Sequence, residues 1–240
     1  MFGSFLNVVI YRLPRGMSLA FPGSRCTSCG HPLNALDNIP LLSWLALRGR
    51  CRYCGSTISA RYPLIEALTA AMFAIAALEF GWTLPFASAC LFGMVLLAIA
   101  FIDLDHLLVL DVTTITGALL GLVIAVASHR LVTSLEGAAC AGAILGAIYL
   151  LTRGTGMGLG DVKLAAMIGL FVGYPAALWT TAAAFIIGAL LAIPVLLSRS
   201  RRQRDALPFG PFLVIAAVLA TFAPLVLSAP YEAYRSLFAG

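Results

Sequence analysis

The sequence predicts an all-α polytopic membrane protein with about seven full transmembrane helices and the stub of an eighth at its start. Three observations lead there. The chain is 61% hydrophobic and 10% charged, with a mean hydropathy of +1.00, which excludes a soluble globular domain. Long apolar runs follow one another, separated by short turns such as Gly81-Trp82-Thr83-Leu84-Pro85. One polar insert, residues 11–62, differs from everything after it in its Arg, Cys and Pro content.

In chain order, residues 1–10 hold the apolar fragment Phe5–Ile10, too short to cross a bilayer and read as a remnant of a first helix. No cleavable signal peptide is expected, because no basic region precedes a long apolar stretch. Residues 11–62 form a small module, and residues 63–240 form the transmembrane domain. A span needs roughly 17–25 apolar residues. The candidates are Pro63–Phe80, Pro85–Ile102, Val112–Ser128, Leu135–Leu151, Val162–Tyr174, Ala176–Leu197 and Pro208–Ser228. Val162–Tyr174 is short, so the Gly-rich stretch Gly154–Gly160 ahead of it is expected to enter the membrane as irregular backbone. Gly and Ala are abundant in several spans, as helix packing in lipid requires.

Charge sets the orientation. One face collects Tyr11–Tyr62, Asp103–Asp111, Arg153–Gly160 and Ser198–Leu207, with twelve arginines including Arg12, Arg15, Arg48, Arg50 and Arg52; the other holds Arg130 and Arg235. The positive-inside rule makes the crowded face cytoplasmic. The net charge of +5 is then a topology signal and a contact with the lipid bilayer, with no nucleic acid implied.

Cys26-x-x-Cys29 and Cys51-x-x-Cys54 are separated by 21 residues, each pair followed by glycine. This spacing predicts a structural Zn²⁺ held by Cys26, Cys29, Cys51 and Cys54. Two disulfides, a redox dithiol and unrelated thiols compete, but a cytoplasmic loop disfavours the first, the thioredoxin-like context for the second is missing, and the third would not repeat the spacing. His31 is read as a surface residue, and Cys90 and Cys140 as packing residues.

Two polar segments carry aspartates against apolar runs: Asp103-Leu104-Asp105-His106 and Gly158-Leu159-Gly160-Asp161. A carboxylate in a span costs about 2.5–3.5 kcal/mol at the centre, so a retained pair suggests work. Aspartic proteolysis needs two carboxyl groups near one water, one ionised and one protonated. Asp103 abuts the span; Asp105 would point away from it; Asp111 is placed to N-cap the helix beginning Val112. Lys163, the sole lysine, either snorkels or pairs with Asp161. Glu66 is placed to tie the module to the first span. The competing reading is a loop whose acids cap helices and pair with arginines.

The chain resembles the type IV prepilin leader peptidases, many of which are also N-methyltransferases. The resemblance is carried by Gly3-Ser4-Phe5-Leu6-Asn7-Val8-Val9-Ile10-Tyr11-Arg12-Leu13-Pro14, both cysteine pairs, and Asn38-Ile39-Pro40-Leu41-Leu42-Ser43-Trp44. It continues through Leu47–Cys54, Ile58–Glu66, the Asp103 segment and Gly158-Leu159-Gly160-Asp161-Val162-Lys163-Leu164. It implies a bacterial inner-membrane aspartic endopeptidase with its site on the cytoplasmic side, cutting prepilins or type II secretion pseudopilins after the leader's glycine. The family's catalytic aspartates map onto Asp103 and Asp161. Bifunctional members then methylate the new amino terminus with S-adenosylmethionine. Two departures stand out: the family's full apolar helix ahead of Gly3 is here a stub, and its usual proline before the third aspartate is replaced in Val109-Leu110-Asp111. A polytopic transporter, or a pilus or secretion assembly scaffold with the zinc module as a docking site, is the alternative, and the lack of a detectable inverted repeat counts against it.

Overall fold

The computed structural model describes residues 1–197 and 208–223 and separates the chain into two compact units, Met1–Leu78 and Glu79–Gly240. Among the described residues the elements are helical, apart from two isolated β-bridges, Arg25 with Pro32 and Arg50 with Thr57.

In the first unit the apolar stub is a helix, α1 (Phe2–Arg12), followed by a cysteine-bearing loop region, a short helix α2 (Leu42–Ala46), and α3 (Arg61–Phe80). Gly3 lets α1 approach α3: a Cβ there would lie 2.8 Å from the Glu66 Cα. Asn7 is buried on the same face and donates its side-chain amide to the Tyr62 carbonyl at 3.2 Å. Arg12, counted above with the surface charges, is only 8% exposed. Its guanidinium donates to the carbonyls of Ser18 at 2.9 Å and Pro22 at 2.7 Å, so it organises the following loop rather than facing headgroups. Glu66 does tie the module to α3, accepting the Leu41 backbone N–H at 2.8 Å.

The second unit holds α4 (Leu84–His106), α5 (Asp111–Ala127), α6 (Leu131–Leu151), α7 (Leu159–Val172), α8 (Ala176–Leu197) and α9 (Gly210–Phe222). Helix α4 packs on α5 and α9, with Phe92, Leu96, Ile99 and Ile102 fully buried. Phe92, Leu96 and Ile99 share one core cluster with Leu145 of α6, Leu164, Met167 and Ile168 of α7, and Leu213 of α9. Phe92 stacks on Phe171 with ring centroids 4.2 Å apart. On α5 the buried positions Thr113, Thr114, Gly117, Gly121 and Ala125 recur at helical spacing. Its opposite side exposes Val112, Ile115, Leu119, Val123 and Val126, an apolar face that suits hydrocarbon rather than water.

Helices α3, α4 and α6 are long and apolar enough to cross a membrane; Asp111–Ala127, Ala176–Leu191 and Gly210–Phe222 are shorter apolar helical stretches. The protein is therefore a helical membrane protein, and three of the seven expected spans meet the crossing length on the described residues. The part of the seventh candidate beyond Ala223 lies outside them.

Helix α7 starts at Leu159, not at Val162 as the apolar run suggested, with Gly158 in extended conformation as its N-cap. Leu159 and Gly160 are thus helical, and the irregular stretch ends at Gly158. What holds so short a helix is close packing. A Cβ on Gly169 would meet the Gly137 carbonyl oxygen and lie 2.6 Å from the Ala138 nitrogen. The two backbones therefore touch, and the buried α6 row Ser134, Gly137, Ala141 and Leu145 supplies the surface. Gly169→Val is expected to lose at least the cost of ordinary overpacking, about 1–3 kcal/mol. Gly146→Ala, whose Cβ would sit 3.7 Å from Val162 Cγ1, should leave stability unchanged. Thermal unfolding of both variants in detergent checks the contrast.

Candidate active site and metal centre

Asp103 sits in the last turn of α4, three residues before the helix ends at His106. It stays on the buried face that carries Ile99 and Ile102, and is 4% exposed. The helix stops just beyond it: Leu107 adopts a left-handed conformation (φ 51°) and donates its N–H to the Asp103 carbonyl at 2.8 Å. The Asp103 Oδ2 has no hydrogen-bond partner among the described residues. An unpaired buried carboxyl oxygen is expensive, so its neighbours matter.

Asp161 is the third residue of α7, in its first turn. Its own backbone N–H reaches the Gly158 carbonyl at 3.2 Å, and its half-buried carboxyl turns back toward Gly158. The first turn of a helix presents unpaired N–H groups and favours a negative group there. The charge of Asp161 reaches Asp103, so these two acids, 58 positions apart in sequence, lie near each other in the fold.

The segments bearing them are joined at two further points. A Cβ on Gly160 would fall 2.9 Å from the Val109 Cβ, so the start of α7 lies against the link after α4. Lys163 Nζ donates to Asp111 Oδ1 at 2.6 Å. This corrects two expectations. Asp111 is the first residue of α5 and does not cap it; Leu110 is the N-cap. Lys163 pairs with Asp111 and not with Asp161, because residues two apart on a helix face different directions. Asp105 and His106 are exposed on the surface.

The four predicted cysteines also converge. Their Sγ atoms all lie within 4.8 Å of one another, with Cys26 and Cys54 at 3.9 Å. Zn–S bonds of about 2.3 Å would place tetrahedral sulfurs about 3.8 Å apart, so the donor set fits a metal ion. The two knuckles are copies of each other. In the first, Cys26 N–H donates to His31 O and Gly30 N–H to Cys26 O; in the second, Cys51 N–H donates to Ser56 O and Gly55 N–H to Cys51 O. Gly30 and Gly55 take the matching left-handed conformation, φ 70° and 71°. Backbone N–H groups of Cys29 and Ser28 hold the Cys26 thiol down to about 6. Cys29, although drawn down by the His31 backbone, is pushed up to about 11 by desolvation and by its neighbours Cys26 and Cys54. Four thiolates this close need a cation to coexist.

Around the cluster, His31 is exposed and its ring lies tilted against Tyr53, 3.6 Å between centroids. Arg52 pairs with Asp37 at 2.8 Å and holds the Asp37 carboxyl below its ordinary range.

Sequence reasoning missed Gly210, the first residue of α9, whose Cα lies against the Asp103 carboxyl. The available signal was Phe209-Gly210-Pro211, a glycine and a proline opening an apolar run.

Residues 1–80 match the bacterial peptidase A24 N-terminal domain, and residues 90–193 match the type IV leader peptidase family. Among curated proteins, a prepilin leader peptidase/N-methyltransferase of Aeromonas hydrophila is 40% identical over 253 residues, covering 92% of this chain and 86% of the relative. The protein of the same name from Pseudomonas aeruginosa is 36% identical over 251 residues, covering 91% and 85%. That from Myxococcus xanthus is 41% identical over 208 residues, covering 83% and 61%. No solved structure matches the chain. The chain belongs to the type IV leader peptidase family.

The Lys163–Asp111 pair is half-exposed, at 40% and 59%. A double-mutant cycle with Lys163→Met and Asp111→Asn should give a coupling of about 0.2–1 kcal/mol that shrinks with added salt, read by thermal unfolding in detergent.

Proposed function

We propose that this chain is a membrane aspartic endopeptidase that removes the leader of type IV prepilins or type II secretion pseudopilins after a glycine, and then N-methylates the new amino terminus. The observation that supports this is that the buried Asp103 of α4 and the half-buried Asp161 of α7 lie within reach of each other's charge. Like charges in such a site resist double ionisation, so the pair holds one proton between them. The ionised member takes a proton from water, and that water's oxygen bonds to the glycine carbonyl carbon. The protonated member supports the carbonyl oxygen as charge grows there. As the tetrahedral species collapses, the C–N bond breaks and the acid that gained a proton returns it to the leaving amine. The exposed, extended backbone at Gly158 beside Asp161 leaves room for the substrate's own extended chain.

The crowded positive face supports a cytoplasmic site in a bacterial inner membrane. The sulfur geometry supports a structural Zn²⁺ on Cys26, Cys29, Cys51 and Cys54. The metal would close the module by joining its two knuckles. S-adenosylmethionine would supply the methyl group, and no step at Asp103 or Asp161 depends on it.

Asp103→Asn and Asp161→Asn should each abolish leader removal from a synthetic prepilin while the protein still inserts. Product mass decides, and cleavage retained by both variants would overturn the reading. Atomic absorption should find one zinc per chain, lost on chelation and absent in Cys51→Ser. A metal-free parent with intact module structure would exclude the zinc assignment.

A further inference from the structure

We infer that Gly210 is a positioning residue for Asp103, and that the N-terminal turn of α9 is the seat on which the Asp103 carboxyl rests. The inference builds on the reading of Asp103 as one of the reacting acids. Asp103 is 4% exposed and its Oδ2 has no hydrogen-bond partner among the described residues. It lies against the start of α9, a helix of 13 residues with Pro211 in its first turn. A Cβ on Gly210 would overlap Asp103 Oδ2 and sit 3.1 Å from its Cγ. The bare α-carbon is therefore what lets the carboxyl occupy this place.

The site gains two things from the seat. The unpaired N–H groups of a helix's first turn favour a negative group, and Pro211 brings none that could compete with the Gly210 N–H. The seat is also closed to solvent, because Gly210 and Pro211 are themselves buried. Asp161 rests in the first turn of α7, so each acid of the pair meets the N-terminus of a helix: Asp161 its own, Asp103 a neighbour's. Among the described residues, the charge on the pair is then balanced by these two helix starts rather than by a cationic side chain.

The test uses the full chain in detergent or proteoliposomes, with a synthetic prepilin. Gly210→Ala should lower kcat for leader removal about 10²-fold, as expected for a reacting group displaced by about 1 Å, with KM changed less than about twofold. Gly188→Ala is the packing control. Its Cβ would press Phe212 of α9 at 3.0 Å but does not approach Asp103, and it should leave kcat near the parent's. A thermal double-mutant cycle covers poor folding of the variant. Gly210→Ala should lower the unfolding midpoint in the parent and much less in Asp103→Ala, because the carboxyl it displaces is gone. Equal loss in both backgrounds, parent-like kcat in Gly210→Ala, or the same kcat loss in Gly188→Ala would each overturn the inference. A parent chain that fails to cleave would instead overturn the role given to the aspartates, and the thermal cycle would still decide whether Gly210 seats Asp103.

Discussion

The contact on which the second unit depends is the one between two bare backbones, Gly137 of α6 and Gly169 of α7. In a bilayer, helices gain nothing by hiding Leu from lipid; they gain by close approach and by pairing polar groups. A short helix of 14 residues therefore holds its place only if its neighbours come near enough to grip it. Glycine on both sides permits that, and α5 adds Gly117 and Gly121 against Met167 and Phe171. Any side chain at the Gly137–Gly169 crossing would push α7 outward and carry Asp161 away from Asp103.

The aspartate pair is costly by the same reasoning that makes it useful. Asp103 lies on the buried face of α4 and is 4% exposed, so bulk solvent stabilises its charge poorly. Among the described residues, its neighbours are the start of α9 and a second acid rather than a counter-cation. The one lysine of the chain is engaged elsewhere, on Asp111. A fixed cation beside the acids would hold both ionised and remove the proton that the proposed chemistry shares between them.

Much of this was legible in the sequence, for reasons that differ by element. Cysteine spacing survives any uncertainty about helix ends, and Cys26, Cys29, Cys51 and Cys54 do converge. The long apolar runs marked α3, α4 and α6 because hydropathy over about twenty residues is a strong signal. The start of α7 was placed three residues late, because Gly158-Leu159-Gly160 looks irregular by composition although only Gly158 is extended. Arg12 was counted as a surface charge; nothing local shows that Ser18 and Pro22 carbonyls fold back onto it. Gly210 stands more than a hundred positions from Asp103, and a glycine's role in accepting a distant side chain leaves no periodic trace.

The engagement of Lys163 with Asp111 has a practical side. Because the chain contains no other lysine, its only side-chain amine stands on the rim of the aspartate site, 40% exposed. An acylating dye or cross-linker selective for ε-amines would therefore mark this molecule at a single internal address. That address is two residues from Asp161 on α7, and acylation there would neutralise the ammonium and release Asp111.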